Sequence, residues 1–188
     1  EPLLKINNNF FNWSNIEATQ SLEDNCLPIP IVNWSCDSVS LGIKAFANGP
    51  ANKNSTLYVE YVLKNNSSDV NNGSLYLLIR PYQVNPHYQF LNLPGGVGKI
   101  NSIKEIDNKI YIDDKIVIPI TDYSSFGAVS FDAGNMIELI RDNILPDNKS
   151  IIDKSNLASG YLQYDFVLHP GEEKSIYIAV PFYSEDSL

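Results

Sequence analysis

The sequence predicts an all-β protein: a large antiparallel two-sheet β-sandwich, or supersandwich, with one short helix. Apolar residues recur at every second position in several segments, the period of half-buried strands. Clusters of Asn, Asp, Gly and Pro separate these segments, as turns separate strands. With 188 residues, of which 44% are hydrophobic, the chain can build one sizeable core. We therefore interpret residues 1–188 as a single β-sandwich domain.

Alternation is clearest in the first half of the chain. Apolar side chains occupy every second position over 39–45, 57–64 and 75–80. The last two segments flank a polar stretch, 65–73, that is rich in Asn, Ser and Asp. This arrangement predicts that they form an antiparallel hairpin around that loop.

The second half of the chain shows the same alternation, at first in shorter segments. Residues 100–120 predict a meander of short strands with a turn at 113–114. Two longer strands follow at 162–168 and 176–182. The segment between them, 169–172, has Pro at its second position and Gly at its third, which predicts a turn.

One helix is predicted near residue 136. Asn135 is a suitable N-cap, and Glu138 follows at the spacing of a capping box. Met136, Leu139 and Ile140 give this segment an apolar stripe. We expect the helix to cover one sheet edge or to connect the two sheets.

The charge balance limits the classes of partner. The net charge is −9, and the chain has only two arginines, Arg80 and Arg141. Such a surface repels phosphate backbones and anionic lipids, so we expect neither nucleic acid nor a membrane as partner. Neutral sugars and peptides remain possible ligands.

The sequence opens on Glu1 rather than on methionine, and we expect it to be part of a larger multidomain protein. No basic-then-apolar signal segment opens the chain. The native compartment stays open, with a secreted or periplasmic location favoured. Cys26 and Cys36 either pair in an oxidising compartment or remain reduced thiols, and two cysteines do not separate these cases.

Motifs for metal or cofactor chemistry are missing. His87 and His169 lie far apart in sequence, without the spacing of a zinc site. The Gly-rich stretch 94–99 lacks the Ser or Thr that follows the lysine of a phosphate-binding loop, which favours a surface loop. We predict no cofactor, no metal and no catalytic residue in this chain.

A glycosidase site requires two acids that face each other across a cleft. The candidates are Asp113, Asp114, Asp122, Asp132 and Asp165. Asp113 and Asp114 are better explained by a turn, Asp132 by a turn or cap, and Asp165 by an outward position on a strand. Nothing in the sequence marks two of these acids as convergent.

The densest mixture of aromatic and polar side chains is the segment 80–90. Aromatic rings stack on the C–H faces of sugars, while Arg, Asn, Gln and His hydrogen-bond to hydroxyl groups. The alternative is a packed interdomain loop. The predicted carbohydrate-binding residues are Arg80, Tyr82, Gln83, Asn85, His87, Tyr88 and Gln89. Trp13 and Trp34 could also form a sugar platform, but we expect them in the core.

Several motifs together resemble a known family. They are Leu-Pro-Ile-Pro at 27–30, Ala-Phe-Ala-Asn-Gly-Pro at 45–50, Arg-Pro-Tyr-Gln-Val-Asn-Pro at 80–86, Leu-Pro-Gly-Gly-Val at 93–97, Phe-Gly-Ala at 126–128 and Phe-Asp at 131–132. The set resembles the central domain of large bacterial, glycosidase-like proteins of the coagulation factor five/eight type, or discoidin-domain, class. In those proteins this domain looks like the supersandwich of the galactose-mutarotase-like class. It precedes a helical toroid similar to those of glucoamylases and disaccharide phosphorylases.

The resemblance implies a non-catalytic module that packs against a toroid and contributes to carbohydrate binding. The partners would be the neighbouring domain of the same chain and a carbohydrate. The parent protein would be a glycoside hydrolase or a phosphorylase-like enzyme, with its catalytic carboxylates on the toroid. Two alternatives stay open: an independent mutarotase-like epimerase, for which neither histidine lies in a recognisable motif, and a secreted adhesion or interaction module.

Overall fold

The computed structural model describes residues 1–50, 54–85 and 96–182. Within these ranges the chain is mostly β-strand, and the predicted all-β class is confirmed. The strands are β1 (Pro2–Ile6), β2 (Asn9–Phe11), β3 (Glu17–Leu22), β4 (Pro30–Cys36), β5 (Val39–Asn48), β6 (Thr56–Asn65), β7 (Asn71–Ile79), β8 (Gln83–Asn85), β9 (Gly96–Val97), β10 (Ser102–Ile106), β11 (Lys109–Ile112), β12 (Lys115–Pro119), β13 (Ser125–Val129), β14 (Ser150–Ile152), β15 (Ser159–Leu168) and β16 (Glu173–Pro181). A single-turn 3-10 helix lies at Glu23–Asn25, another at Phe131–Ala133, and one α-helix, α1, spans Met136–Arg141.

Two antiparallel sheets face each other. The five-stranded sheet has the order β13-β15-β7-β1-β2, and the nine-stranded sheet has the order β14-β10-β11-β12-β16-β6-β5-β4-β3. Strands β8 and β9 pair separately as a short ribbon. The core lies between the two large sheets, where the alternating apolar positions of their inner faces meet.

The predicted alternation describes the core well. Leu41 on β5 and Leu63 on β6 are fully buried, and they pair directly across the nine-stranded sheet. In the five-stranded sheet, every second residue of β15 from Leu162 to Leu168 is buried. Burial of one face per strand therefore explains why the period-two pattern located these elements.

The predicted hairpin of residues 57–64 and 75–80 is wrong. Strand β6 belongs to the nine-stranded sheet, whereas β7 belongs to the five-stranded sheet and pairs with β1 and β15. The polar loop carries the chain from one sheet to the other. Alternation indicates which side of a strand is buried, and two strands facing each other across a core show the same alternation as two paired strands.

A buried asparagine stabilises this crossing. Asn65 is fully buried, and its Nδ2 donates to the carbonyl oxygens of Asp69 at 2.7 Å and Leu168 at 2.9 Å. Its Oδ1 accepts from Asn71 Nδ2 at 2.9 Å. The Asn65 side chain thus hydrogen-bonds to backbone and amide groups where the chain passes from one sheet to the other.

The predicted turn at 169–172 is confirmed, but it also joins the two sheets. Gly171 has a φ of 75°, and Glu172 N donates to His169 O at 2.9 Å. Strand β15 before the turn lies in the five-stranded sheet, and β16 after it lies in the nine-stranded sheet. Asn65 N donates to Glu172 O at 3.0 Å and Gly171 N donates to Asn65 O at 3.1 Å, so the two crossings support each other.

The meander predicted over 100–120 is confirmed as β10, β11 and β12, which pair in sequence order. Asp113 adopts a φ of 52° in the turn between β11 and β12. Its Oδ1 accepts from Ser102 N at 2.7 Å and from Asn101 N at 3.1 Å. Asp113 is therefore a turn residue, as predicted.

The predicted helix is confirmed as α1. Asn135 Oδ1 accepts from Ile137 N at 2.9 Å, whereas the Glu138 carboxylate accepts from Arg141 Nη1 at 3.2 Å. The helix covers a sheet face rather than an edge. It packs in a second apolar cluster on the outer side of the five-stranded sheet, formed by Leu3, Tyr76, Leu78, Val129, Met136, Ile137, Ile140 and Tyr161. Within the described ranges no helix is long and apolar enough to cross a bilayer.

Both cysteines are free thiols in the structure: Cys26 is exposed and Cys36 is buried. Burial, together with the neighbouring charge of Asp37, raises the pKa of the Cys36 thiol to about 12. The structure thus corresponds to the reduced alternative, with one accessible and one inaccessible thiol.

Candidate functional site

The predicted binding segment begins where β7, the middle strand of the five-stranded sheet, ends at Ile79. Arg80 follows directly, and its Nε lies 2.6 Å from Glu1 Oε2. The two side chains are only 26% and 7% exposed. A partly buried ion pair of this kind fixes the orientation of the guanidinium group, because a planar fork has few alternative arrangements.

Tyr82 lies against the same guanidinium group. The Arg80 Cζ atom is 5.5 Å from the centroid of the Tyr82 ring, which is a cation–π distance. The backbone at this point is anchored by Gly98 N, which donates to Tyr82 O at 2.7 Å. The structure therefore brings Arg80 and Tyr82 together.

The other predicted binding residues are described only in part. Gln83 and Asn85 lie on β8, and their backbones pair with Val97 and Gly96 on β9. His87, Tyr88 and Gln89 lie outside the described residues. Their assignment to a binding surface stays a prediction.

A pocket of about 340 Å³ opens beside Arg80. Arg80 and Pro81 form one side, and Leu157 and Ser159 form another at the start of β15. The segment that enters α1 provides the rest, through Phe131, Gly134, Asn135 and Met136. Phe131 lines the pocket and is 56% exposed, so its side chain is accessible to a ligand.

Sequence reasoning missed Phe131 and assigned Asn135 only a capping role. Asn135 does cap α1, so its presence in the pocket follows from the position of the helix rather than from a separate signal. Phe131 belongs to a motif of the family resemblance, but nothing in its local sequence connects it with Arg80. Only the packing of α1 on the five-stranded sheet brings the two together.

The pocket is suited to a neutral polar ligand. Among its described lining residues, Arg80 is the one with a full charge, and Glu1 compensates that charge. Arg80 contacts Glu1 through Nε and lies against the Tyr82 ring, and a guanidinium group has five N–H donors in all. Phe131 adds an apolar surface, so one side of a ligand can stack while another hydrogen-bonds.

The other residues considered for chemistry lie elsewhere. His169 is exposed in the turn between β15 and β16. Asp165 is exposed on the outer side of β15, as predicted, and its Oδ1 accepts from Ser74 Oγ at 2.6 Å and Gln163 Nε2 at 2.7 Å. Partial burial alone would raise the pKa of Asp165, but these hydrogen bonds outweigh it and hold the pKa below its usual value. No group of three or more His, Cys, Asp and Glu side chains in the described ranges is arranged to hold a metal ion.

The two tryptophans differ in their environment. Trp34 is buried in the core, as predicted. The prediction is wrong for Trp13, which is 45% exposed and packs edge-to-face on Trp34, with ring centroids 4.7 Å apart. Trp13 therefore covers the core at the sandwich surface instead of lying within it.

Comparison with known proteins supports the fold. No family model and no curated protein matches this sequence. A solved structure from the human microbiome, provisionally named a kojibiose phosphorylase, is similar with a TM-score of 0.50 at 10% identity. The match covers 96% of this chain and 21% of that protein, so this chain spans about a fifth of its length. At this identity the likeness concerns the fold: the chain has the architecture of a β-rich sandwich that also occurs within a much longer protein.

Proposed function

We propose that this chain is a non-catalytic β-sandwich module of a multidomain carbohydrate-active protein. In this proposal the module packs against a helical toroid catalytic domain, and it contributes the pocket at Arg80 to a carbohydrate site. The observation that carries the proposal is the pocket itself, which is lined by the ion-paired Arg80 and by the exposed Phe131. The similar protein supports this context, because it has a sandwich of this architecture and is named for an enzyme that acts on a disaccharide.

The chemistry of the pocket favours a sugar over other small ligands. A pyranose ring has an apolar C–H face and a rim of hydroxyl groups, and it has no charge. Phe131 offers a ring surface for the C–H face, and Arg80 and Ser159 offer hydrogen-bonding groups for the hydroxyl groups. The Tyr82 ring lies beside the pocket, against Arg80. The Glu1 carboxylate beside Arg80 reduces the attraction of the guanidinium group for an anion.

The surroundings of the pocket favour a neighbouring domain. Tyr82, Val97 and Phe131 are all exposed large hydrophobic residues. They belong to one region, because Phe131 lines the pocket with Arg80, Arg80 lies over Tyr82, and Val97 pairs with the adjoining strand β8. Exposed apolar patches of this kind mark interaction sites, and a docked domain would cover this rim and complete the site.

The proposal includes the residues that the sequence predicted around the same loop. We expect the side chains that follow Tyr82 to extend the sugar contact: Gln83, Asn85, His87, Tyr88 and Gln89. Alanine substitution of each residue, with sugar affinity as the readout, measures how much each side chain contributes to binding.

Calorimetric titration of the 188-residue chain with kojibiose, maltose and cellobiose tests the proposal. We expect at least one disaccharide to bind and Phe131→Ala to weaken that binding by about tenfold, the effect of losing one ring contact. Arg80→Lys keeps the positive charge beside Glu1 but loses the planar fork, and we expect it to weaken binding as well.

The matched control is Val167→Ala, which shortens an equally exposed apolar side chain on β15. It should bind as the unaltered chain does. The proposal is wrong if none of the disaccharides binds, or if Phe131→Ala and Val167→Ala have the same affinity.

A further inference from the structure

The outer face of the nine-stranded sheet has an ordered row of polar side chains. Lys44, Glu60 and Tyr177 are direct cross-strand neighbours on β5, β6 and β16, at positions that alternate with core residues. The Tyr177 hydroxyl donates to Glu60 Oε1 at 2.8 Å, and Lys44 Nζ lies 3.8 Å from Glu60 Oε2. Lys44 Nζ also contacts the carboxylate of Glu23 at 2.8 Å. Because each side chain is hydrogen-bonded or ion-paired with its neighbour, the row is preorganised in the absence of a ligand.

Two aromatic rings lie next to this row. Phe46 and Tyr58 are the next outward-facing pair on β5 and β6, and their rings stack with centroids 5.5 Å apart and planes 23° apart. Phe46 is 39% exposed, and Tyr177 beside the pair is also exposed. Apolar ring surface and hydrogen-bonding groups are therefore adjacent on a rigid sheet.

A hollow lies on the other side of the polar row. Gly42 occupies the outward position before Lys44, and a pocket of about 200 Å³ forms there, with Asn33, Val62 and Lys64 among its lining residues. A Cβ atom on Gly42 would lie 3.4 Å from Asn33 Oδ1 and 3.8 Å from Val62 Cβ, which are ordinary contact distances. The position could hold a side chain, and its absence creates the hollow.

The three features form one line along β5. Residues 42, 44 and 46 point to the same side, and two residues of strand advance by about 6.6 Å, so the hollow and the rings are about 13 Å apart. A ligand that contacts both must be extended and must offer polar groups at its centre.

The charges on this face favour a neutral ligand. Lys44 is paired with Glu23 and Glu60, and Lys64 is paired with Glu173 at 2.8 Å. A phosphorylated or sulfated ligand would meet three carboxylates and only two lysines. A protein partner is also disfavoured, because the centres of protein interfaces are depleted in charged residues and the centre of this face is an ionic row.

We propose that the outer face of the nine-stranded sheet is a second carbohydrate-binding surface, which holds a neutral oligosaccharide from the hollow at Gly42, across the Lys44–Glu60–Tyr177 row, to the rings of Phe46 and Tyr58. It goes beyond the proposed function, because the pocket at Arg80 is built from the five-stranded sheet and the segment entering α1. An extended surface of this kind would hold a polymer while a second site engages another part of it.

An NMR titration of the 188-residue chain with maltotriose, cellotriose and mannotriose tests this inference. We expect at least one of these trisaccharides to shift the backbone amide signals of residues 42–46 and of Glu60 and Tyr177. Phe46→Ala removes one ring, and Gly42→Val fills the hollow with a side chain that strands favour. Each should weaken binding at these amides by about tenfold or more.

The design separates this surface from the pocket at Arg80. Phe131→Ala should leave the titration of residues 42–46 unchanged, and unaltered thermal unfolding should confirm that each variant is folded. If none of the trisaccharides shifts these amides, or if Gly42→Val and Phe46→Ala bind as the unaltered chain does, the inference is wrong. Binding that is lost only in Phe131→Ala would overturn it and leave the proposed function standing. Shifts at the same amides that depend on protein concentration alone would show that a second copy covers this face, which also overturns it.

Discussion

Replacement of Asn65 by leucine tests why the chain crosses between the sheets after β6. Leucine has nearly the same size, but it cannot donate to the carbonyl oxygens of Asp69 and Leu168 or accept from Asn71 Nδ2. The side chain of Asn65 is fully buried, so water cannot take over these bonds without entering the core. We expect Asn65→Leu to be among the most destabilising substitutions in the described part of the chain.

The magnitude follows from the groups left without partners. The Leu168 carbonyl loses a buried donor and Ser67 N loses its acceptor at 3.0 Å, whereas Asn71 Nδ2 keeps Ser67 Oγ at 2.9 Å. Each unsatisfied group costs about 1–3 kcal/mol. The free energy of unfolding should therefore fall by about 4 kcal/mol, a large share of the stability of an ordinary domain. With a slope of about 2 kcal/mol per molar urea, the unfolding midpoint should fall by about 2 M.

Urea unfolding followed by tryptophan fluorescence measures this effect, since Trp34 lies in the core. Asn66→Leu is the matched control: Asn66 is the next residue, it is exposed, and its Nδ2 donates to Ser40 Oγ at 3.0 Å. Loss of that exposed bond should cost less than about 1 kcal/mol. Equal effects of the two substitutions would refute the role assigned to Asn65.

Three further predictions concern thiols, acid stability and backbone contact. A thiol reagent should modify Cys26 rapidly and Cys36 only after unfolding, because burial raises the pKa of the Cys36 thiol to about 12; two thiols reacting at once in the folded chain would contradict this. The hydrogen bond from Lys149 lowers the pKa of Glu105, so this carboxylate stabilises the fold above its unfolded pKa, and the contribution is lost as the pH falls through the lower folded value. Urea unfolding from about pH 5 to pH 3 should therefore show a shallower loss of stability in Glu105→Gln than in the unaltered chain, and parallel curves would exclude the effect. Gly127→Ala would place a methyl group against the carbonyl of Pro146, and we expect the melting temperature to fall by several degrees; an unchanged melting curve would show that the segment before β14 moves freely.

Much of the fold could be predicted because burial acts locally on each strand. The alternation in β5 and over 162–168 of β15 follows from one face being packed. The cap at Asn135 and the turn at 169–172 depend on neighbouring residues only. Local burial does not determine the sheet to which each strand belongs. Strand β7 pairs with β15 and β1, both remote in sequence, and nothing in its own residues distinguishes one sheet from the other. That is why a hairpin was expected where the chain crosses.

For the candidate site too, the sequence predicts the residues that lie in one segment and not those that packing brings to it. Arg80 and Tyr82 lie in one short segment whose composition signals binding, and the structure places them in contact. Phe131 reaches the pocket through the packing of α1 on the five-stranded sheet, which no local pattern expresses. The residue type alone predicts Trp13 in the core, but Trp13 follows the edge strand β2 and packs on Trp34 from the surface.

The central claim is that this sandwich binds a sugar without transforming it, and one NMR experiment tests it directly. The 188-residue chain is mixed with inorganic phosphate and the freshly dissolved disaccharide of the calorimetric panel that binds most tightly, and the sugar protons are followed with time. We expect saturation to pass from protein to sugar while the anomers equilibrate at the rate of buffer alone and the glycosidic bond stays intact. Faster anomer exchange, cleavage of the disaccharide, or no saturation transfer at all would contradict the account.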